Sequence, residues 1–255
     1  MFIDIHTHLS QYKDEEIPSI VKRWREADVE LVVSSGTTIK DSIKSIDLAK
    51  KYPDIVAGIG LHPSDLTNHW QDDLLELKKI LNKSISMVSE IGLDYQDSSP
   101  PKTIQIKAFE EQIQIAIDNN LPIVFHTRFS MEDSYNILSN FRGNMHGGAV
   151  HYFDGNYEEA KKMISLGFKI SFAKTLIRND YLKEVAKKIS IDEIVIETDS
   201  YPQYFKKNRQ RWTEPKDVVL VAQELSRLKN LPIKLVGKKT TNNFKSFVKF
   251  NLNET

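Results

Sequence analysis

Phe2-Ile3-Asp4-Ile5-His6-Thr7-His8-Leu9 opens the chain, and its reading decides what the rest must be. A short, largely apolar run leads directly into a His-x-His pair. Side chains alternate along a strand, so His6 and His8 are expected on one face, about 7 Å apart. Two imidazoles on one face at the end of a buried strand can share a metal ion. The question is whether the remaining 247 of the 255 residues supply more ligands at comparable places.

Short apolar runs recur along the chain, separated by longer amphipathic segments. The runs that read as buried strands are Phe2–His6, Leu31–Ser34, Val56–Gly60, Met87–Ile91, Pro122–His126, Gly148–Tyr152, Phe168–Ser171 and Ile194–Glu197. Apolar spacings of three and four predict helices over Glu15–Ala27, Ile39–Lys50, Asp72–Leu81, Thr103–Asn119, Met131–Asn140, Tyr157–Ser165, Asn179–Lys188 and Pro215–Lys229. Eight strands, each followed by a helix, describe an α/β fold of the (β/α)₈ TIM-barrel type. The open doubly wound sheet is the alternative, but no Gly-x-Gly-x-x-Gly follows any strand. Ile233–Phe250 is expected to form one more, C-terminal helix capping the barrel. No repeat, low-complexity tract or Pro/Gly/Ser-rich linker divides the chain, so 1–255 is read as a single domain.

Bulk composition narrows the function. Lys+Arg and Asp+Glu are balanced at 35 each, which argues against a protein that coats nucleic acid through bulk charge. A local basic patch or a bound cation could still attract phosphate. With no cysteine, there is neither a disulfide framework nor thiolate-ligated zinc. No apolar run approaches the roughly 18 residues of a membrane span. No basic region precedes an apolar stretch at the N-terminus. A cytoplasmic protein without membrane contact is expected.

In such a barrel the chemistry sits where strands end. Five of the seven histidines fall there: His6, His8, His62, His126 and His151. His69 and His146 do not and are assigned to the surface. Glu90 lies in the fourth run, and Glu197-Thr198-Asp199 ends the eighth. A single His after a strand is ordinarily a loop or core residue, and a single Asp an N-cap. The joint pattern is different. His6, His8, Glu90, His126, His151 and Asp199 at the ends of five strands would crowd one small space, at a large cost without a cation. Nitrogen and carboxylate donors together suit Zn, Mn or Fe, and Mg if carboxylates and water dominate. Asp199 sits later, at the barrel mouth, and is preferred as ligand over Glu197. Glu197 would lie one layer deeper and orient a histidine.

These stretches resemble the TatD family of metal-dependent hydrolases. The resemblance rests on His6-Thr7-His8, Gly58-x-x-Leu61-His62-Pro63, Glu90-Ile91-Gly92-Leu93-Asp94-Tyr95, His126-Thr127-Arg128, His151-Tyr152-Phe153-Asp154-Gly155, Glu197-Thr198-Asp199-Ser200 and Glu214-Pro215, in family order across nearly the whole chain. It implies a deoxyribonuclease or related phosphodiesterase with two divalent metal ions (Zn, Mn or Mg). His6, His8 and Asp199 would bind one ion, His126 and His151 the other, and Glu90 would bridge them. Asp199 and Glu90 would then be catalytic, Asp199 as general base. Several positions depart from the family pattern: Phe129-Ser130 after Arg128, Tyr152 after His151, Tyr201 before Pro202, and Arg211-Trp212-Thr213 before Glu214. All touch the rim rather than the ligands, so they bear on substrate preference.

Substrate contacts are expected from His62, from Arg128 as a forked phosphate clamp, and from Lys206 and Arg209. The last two lie in the loop Tyr201–Trp212, where Tyr204, Phe205, Lys207, Arg211 and Trp212 mix rings with cations as single-strand binders do. DNA, favoured as a single strand, is the expected substrate. The alternatives are hydrolysis of a small ester, amide or phosphoester on the same barrel, and a nuclease-like or binding subunit of a larger assembly with unknown protein partners.

Overall fold

The computed structural model describes residues 1–248. Eight strands run parallel in the order of the sequence: β1 (Phe2–Thr7), β2 (Val29–Ser35), β3 (Ile55–Ile59), β4 (Ile85–Asp94), β5 (Ile123–Arg128), β6 (Gly148–Val150), β7 (Phe168–Phe172) and β8 (Ile194–Ile196). The sheet closes on itself. Thr7 bridges Ser200, the His8 amide donates to the Ser200 carbonyl at 2.8 Å, and the Asp199 amide donates to the His6 carbonyl at 3.0 Å. This is the expected (β/α)₈ barrel.

Helices α1 (Ile17–Glu26), α2 (Ile39–Lys51), α3 (Trp70–Ile80), α4 (Lys102–Asp118), α5 (Met131–Asn140), α6 (Tyr157–Ser165), α7 (Asp180–Lys188) and α8 (Val218–Lys229) surround it. A ninth, α9 (Ile233–Phe247), follows. Residues 249 and 250 of the expected last helix lie outside the described residues. The segment expected as one helix from Pro215 is split. Glu214 and Asp217 cap a 3₁₀ turn over Pro215–Asp217, and only then does α8 begin. No described helix is long and apolar enough to cross a membrane.

Two apolar layers account for the burial pattern. Ile3, Ile5, Val33, Met87, Val124, Ala149 and Val195 fill the inside of the barrel, and Phe244 of α9 and Val248 just after it close its N-terminal end. The strands' other faces and the helices form the larger outer layer, which includes Trp24, Phe109, Phe125 and Phe168. Packing on both faces explains why the strands read as continuous apolar runs rather than alternating ones.

Strict alternation fails at two strands, and both failures build the site. Ile3 and Ile5 point into the barrel, so His6 would point out. Instead, the β1–β2 ladder shifts register between Asp4 and Thr7, and His6 also turns inward. In β4 the ladder with β5 shifts between Val88 and Ile91, and Ser89 and Glu90 both face inward. Such bulges re-aim side chains next to active sites. Asp4, left on the outer side, accepts from the Thr198 amide at 2.9 Å and its hydroxyl at 2.5 Å. This buried carboxylate pins the exit of β8 against β1. Gly92 marks the β4–β5 contact: at φ +135° a Cβ there would lie 2.0 Å from the His126 carbonyl oxygen, so only glycine fits.

Candidate metal centre

At the C-terminal ends of the strands, five imidazoles converge on one carboxylate. Glu90 Oε2 is 3.3 Å from His6 Nε2 and 3.5 Å from His8 Nε2. Its Oε1 is 3.3 Å from His62 Nε2, 3.1 Å from His126 Nδ1 and 3.3 Å from His151 Nε2. Asp199 Oδ1 adds a contact of 3.1 Å to His8 Nε2. The donor atoms fall into three groups, each within 4.8 Å: His6, His8 and Glu90; His6, His151 and Asp199; His62, Glu90 and His126.

The far side of most rings is held by the protein. Ser35 Oγ meets His6 Nδ1 at 3.2 Å, and Ser35 is itself bonded to Ser89 at 3.0 Å. Asp94 Oδ2 meets His126 Nε2 at 3.0 Å. Glu197 Oε1 lies 2.8 Å from His151 Nδ1 as an ion pair, not a directed hydrogen bond. Glu197 is fixed in turn by the Ser171 hydroxyl at 2.5 Å and the Tyr152 amide at 2.9 Å. The Ser64 amide donates to His62 Nδ1 at 3.2 Å. Partners of this kind set each ring's tautomer and aim its other nitrogen inward.

The electrostatics fit a cation. Burial works against the charge of Glu90, yet the surrounding histidines outweigh it and hold this carboxyl well below the usual range. Burial, followed by the charge of His151, pushes His6 down, whereas at His8, His126 and His151 burial is outweighed by the neighbouring carboxylates, which push these rings up, His151 to about 10, so a cation bound there would displace their protons. His6 Nε2 is fully buried without a hydrogen-bond partner and faces Glu90, a gap that a bound ion would fill. Nitrogen and oxygen donors alone suit a borderline divalent cation.

The pocket above this cluster has a volume of about 520 Å³. Gln11, Thr37, Asp65, Arg128, Asp154 and Tyr201 form part of its rim. Arg128 is half-exposed there, 3.6 Å from Asp94. His62 sits deeper than a substrate contact would, against Glu90 and grouped with His126. Lys206 and Arg209, expected to touch substrate, do not line this pocket. Lys206 donates to Gln203 Oε1 at 2.5 Å and to the Arg211 carbonyl at 3.4 Å. Arg209 is committed to Glu16 of the α1 approach and lies 4.5 Å over the Trp212 ring. These contacts tie the loop after β8 together, and of the two cations Arg209 has its charge taken by an acid. His69 is exposed as expected, whereas His146 is half-buried.

Asp94 is the residue whose role the sequence motifs left unassigned. Burial opposes its charge, but the hydrogen bond from His126 dominates and holds the carboxyl well below its ordinary value. Asp94→Asn is expected to weaken metal binding roughly 10–100-fold, as removal of such an outer partner does elsewhere. Chelator competition on the purified variant checks this; unchanged affinity would show that Asp94 does not position His126.

A parallel eight-stranded barrel with this centre at the C-terminal mouth has the build of a metal-dependent hydrolase. Residues 3–249 match the family model described as TatD related DNase, and the chain belongs to that family. The metal-dependent hydrolase YabD of Bacillus subtilis is 32% identical over 98% of this chain and 100% of its own length. The metal-dependent hydrolase YcfH of Escherichia coli K12 is 28% identical over 95% of this chain and 93% of its own. Among solved structures, the TatD homologue YjjV of E. coli superposes with a TM-score of 0.89 at 24% identity, covering 97% of both chains. A TatD-family hydrolase of Entamoeba histolytica gives 0.83 at 22% identity, again over 97% of both.

Proposed function

We propose that this hydrolase is a deoxyribonuclease that cleaves phosphodiester bonds of single-stranded DNA with two divalent ions. The observation that carries the reading is the position of Glu90, whose two oxygens face two different sets of histidines. As the family resemblance implies, His6, His8 and Asp199 would hold one ion, His126 and His151 the other, and Glu90 both; the donor atoms also bring His151 near His6 and Asp199, and His62 near His126. Bound ions would activate water and offset charge on the phosphate.

The chain's own residues supply the rest. Asp199 is the general base. Its side chain is 23% exposed while Glu90 is 4% exposed, so it is the more open of the two carboxylates to a reacting water. Burial opposes its charge, but the hydrogen bond from His8 and the charges of His151 and His8 hold its carboxyl below the usual range, the side on which it carries no proton of its own. Arg128 on the rim offers a forked pair of donors to a non-bridging phosphate oxygen.

Metal analysis and digestion test this together. The protein, loaded separately with Mn²⁺, Zn²⁺ or Mg²⁺, is expected to carry about two ions per chain. It should cut end-labelled single-stranded DNA and stop on addition of EDTA. A fully metallated preparation that hydrolyses a small ester but leaves DNA intact would assign the barrel to a small-molecule substrate instead.

A further inference from the structure

Beyond the metal pocket the surface continues as two further hollows, of about 690 and 790 Å³. Tyr152 lines both the metal pocket and the first hollow. Lys174, Arg178, Lys206 and Arg211 line both the first hollow and the second. The two outer hollows therefore form one trough, running across the 3₁₀ turn Lys174–Ile177 to the loop after β8, and Tyr152 stands between this trough and the metal pocket.

The lining is basic although the whole chain is neutral. Six cations face the two outer hollows, Arg227 and Lys207 joining the four above, against two acids, Asp217 and Glu224. Both acids are taken: Asp217 lies 2.9 Å from Lys174, and Glu224 lies 2.6 Å from Arg227. Arg178, Lys206, Lys207 and Arg211 have no acidic partner among the described residues, and Lys206 meets only neutral acceptors. Four uncompensated charges in a concave strip attract a linear polyanion. Rings accompany them. Tyr152 stands at the junction, and Phe205, beside Lys206, is 71% exposed. A single strand offers both phosphates for the cations and free base faces for the rings, whereas a duplex hides its bases.

We propose that this trough seats the phosphates of a single nucleic-acid strand leading away from the metal pocket, so that the enzyme binds several nucleotides beyond the bond it cuts. This rests on the phosphodiesterase reading of the metal centre. It shifts the expected contacts from Arg209, which is tied to Glu16, to Lys207 and Arg211 of the post-β8 loop and to Arg178 after β7.

The test compares the metal-loaded parent with the Arg178→Gln/Lys207→Gln/Arg211→Gln variant. All three side chains are exposed, and none touches the metal cluster. Binding is read by fluorescence anisotropy with a phosphorothioate thymidine strand of about 20 nucleotides, which resists cleavage and exceeds one binding site. Affinity should fall at least about tenfold, and the slope of log affinity against log salt should drop by about 2, at roughly 0.7 per lost phosphate contact. Hydrolysis of bis(p-nitrophenyl) phosphate should be unchanged. Equal affinity and slope in parent and variant would overturn the trough, as would a parent that binds no strand or binds polyglutamate as tightly. If the parent binds the strand, the variant does not, and neither cuts ordinary DNA, the trough stands and the nuclease reading falls.

Discussion

Asp199→Asn should lower kcat on a phosphodiester roughly 10²–10⁴-fold while leaving the fold and much of the bound metal in place. The backbone explains why this substitution isolates chemistry from structure. Asp199 sits at φ +52°, in the left-handed region. Asn is among the few side chains that tolerate it, so the turn that returns the chain from β8 to β1 survives. Asn keeps an oxygen for His8, now 3.1 Å from the carboxylate, but cannot take a proton from water. Steady-state kinetics at saturating Mn²⁺, with metal content and melting temperature on the same samples, separate the two effects. Full activity would rule Asp199 out as the base. Lost activity together with lost metal would make it a ligand first.

Glu90→Gln should be more damaging, because it removes the one group shared by both halves of the site. Gln is isosteric but neutral and leaves five imidazoles around an amide. Metal content is expected to fall below one ion per chain, and activity to vanish. Thermal unfolding gives an independent measure. Each ion at about 100 times its Kd stabilises the parent by about 2.7 kcal/mol, which for a chain of this size raises Tm by roughly 5–11 °C per ion. The variant should show little of that rise. A variant that still gains the full increment would show that the ions do not need Glu90.

The barrel and the cluster of side chains at its mouth were both legible in the sequence, for different physical reasons. Strands buried on both faces must be short and apolar, and the helices between them must be amphipathic, so the eightfold alternation is written in hydropathy. The members of that cluster stood out because His and acidic side chains ended those apolar runs. What stayed hidden depends on distant partners. The inward turns of His6 and Glu90 come from register shifts against β2 and β5, which no single strand discloses. Simple alternation put His6 and His8 on one face correctly, but would have put Ile5 on the other. Asp94 belongs to a recognisable motif, yet its partner His126 becomes a neighbour only once β4 pairs with β5. Arg209 looked like a free cation because Glu16, which takes its charge, is 193 residues away in sequence.

The clasp between Asp4 and Thr198 has a consequence for when the enzyme comes into being. It joins the first strand to the last, and the same closure brings His6 and His8 beside Asp199. During synthesis, N-terminal segments fold first and wait for later ones. A nascent chain that lacks β8 can pair β1 with β2 but cannot assemble the reacting centre. Hydrolytic capacity is therefore expected only after the residues through Asp199 have left the ribosome, and a chain truncated before Asp199 should be inactive.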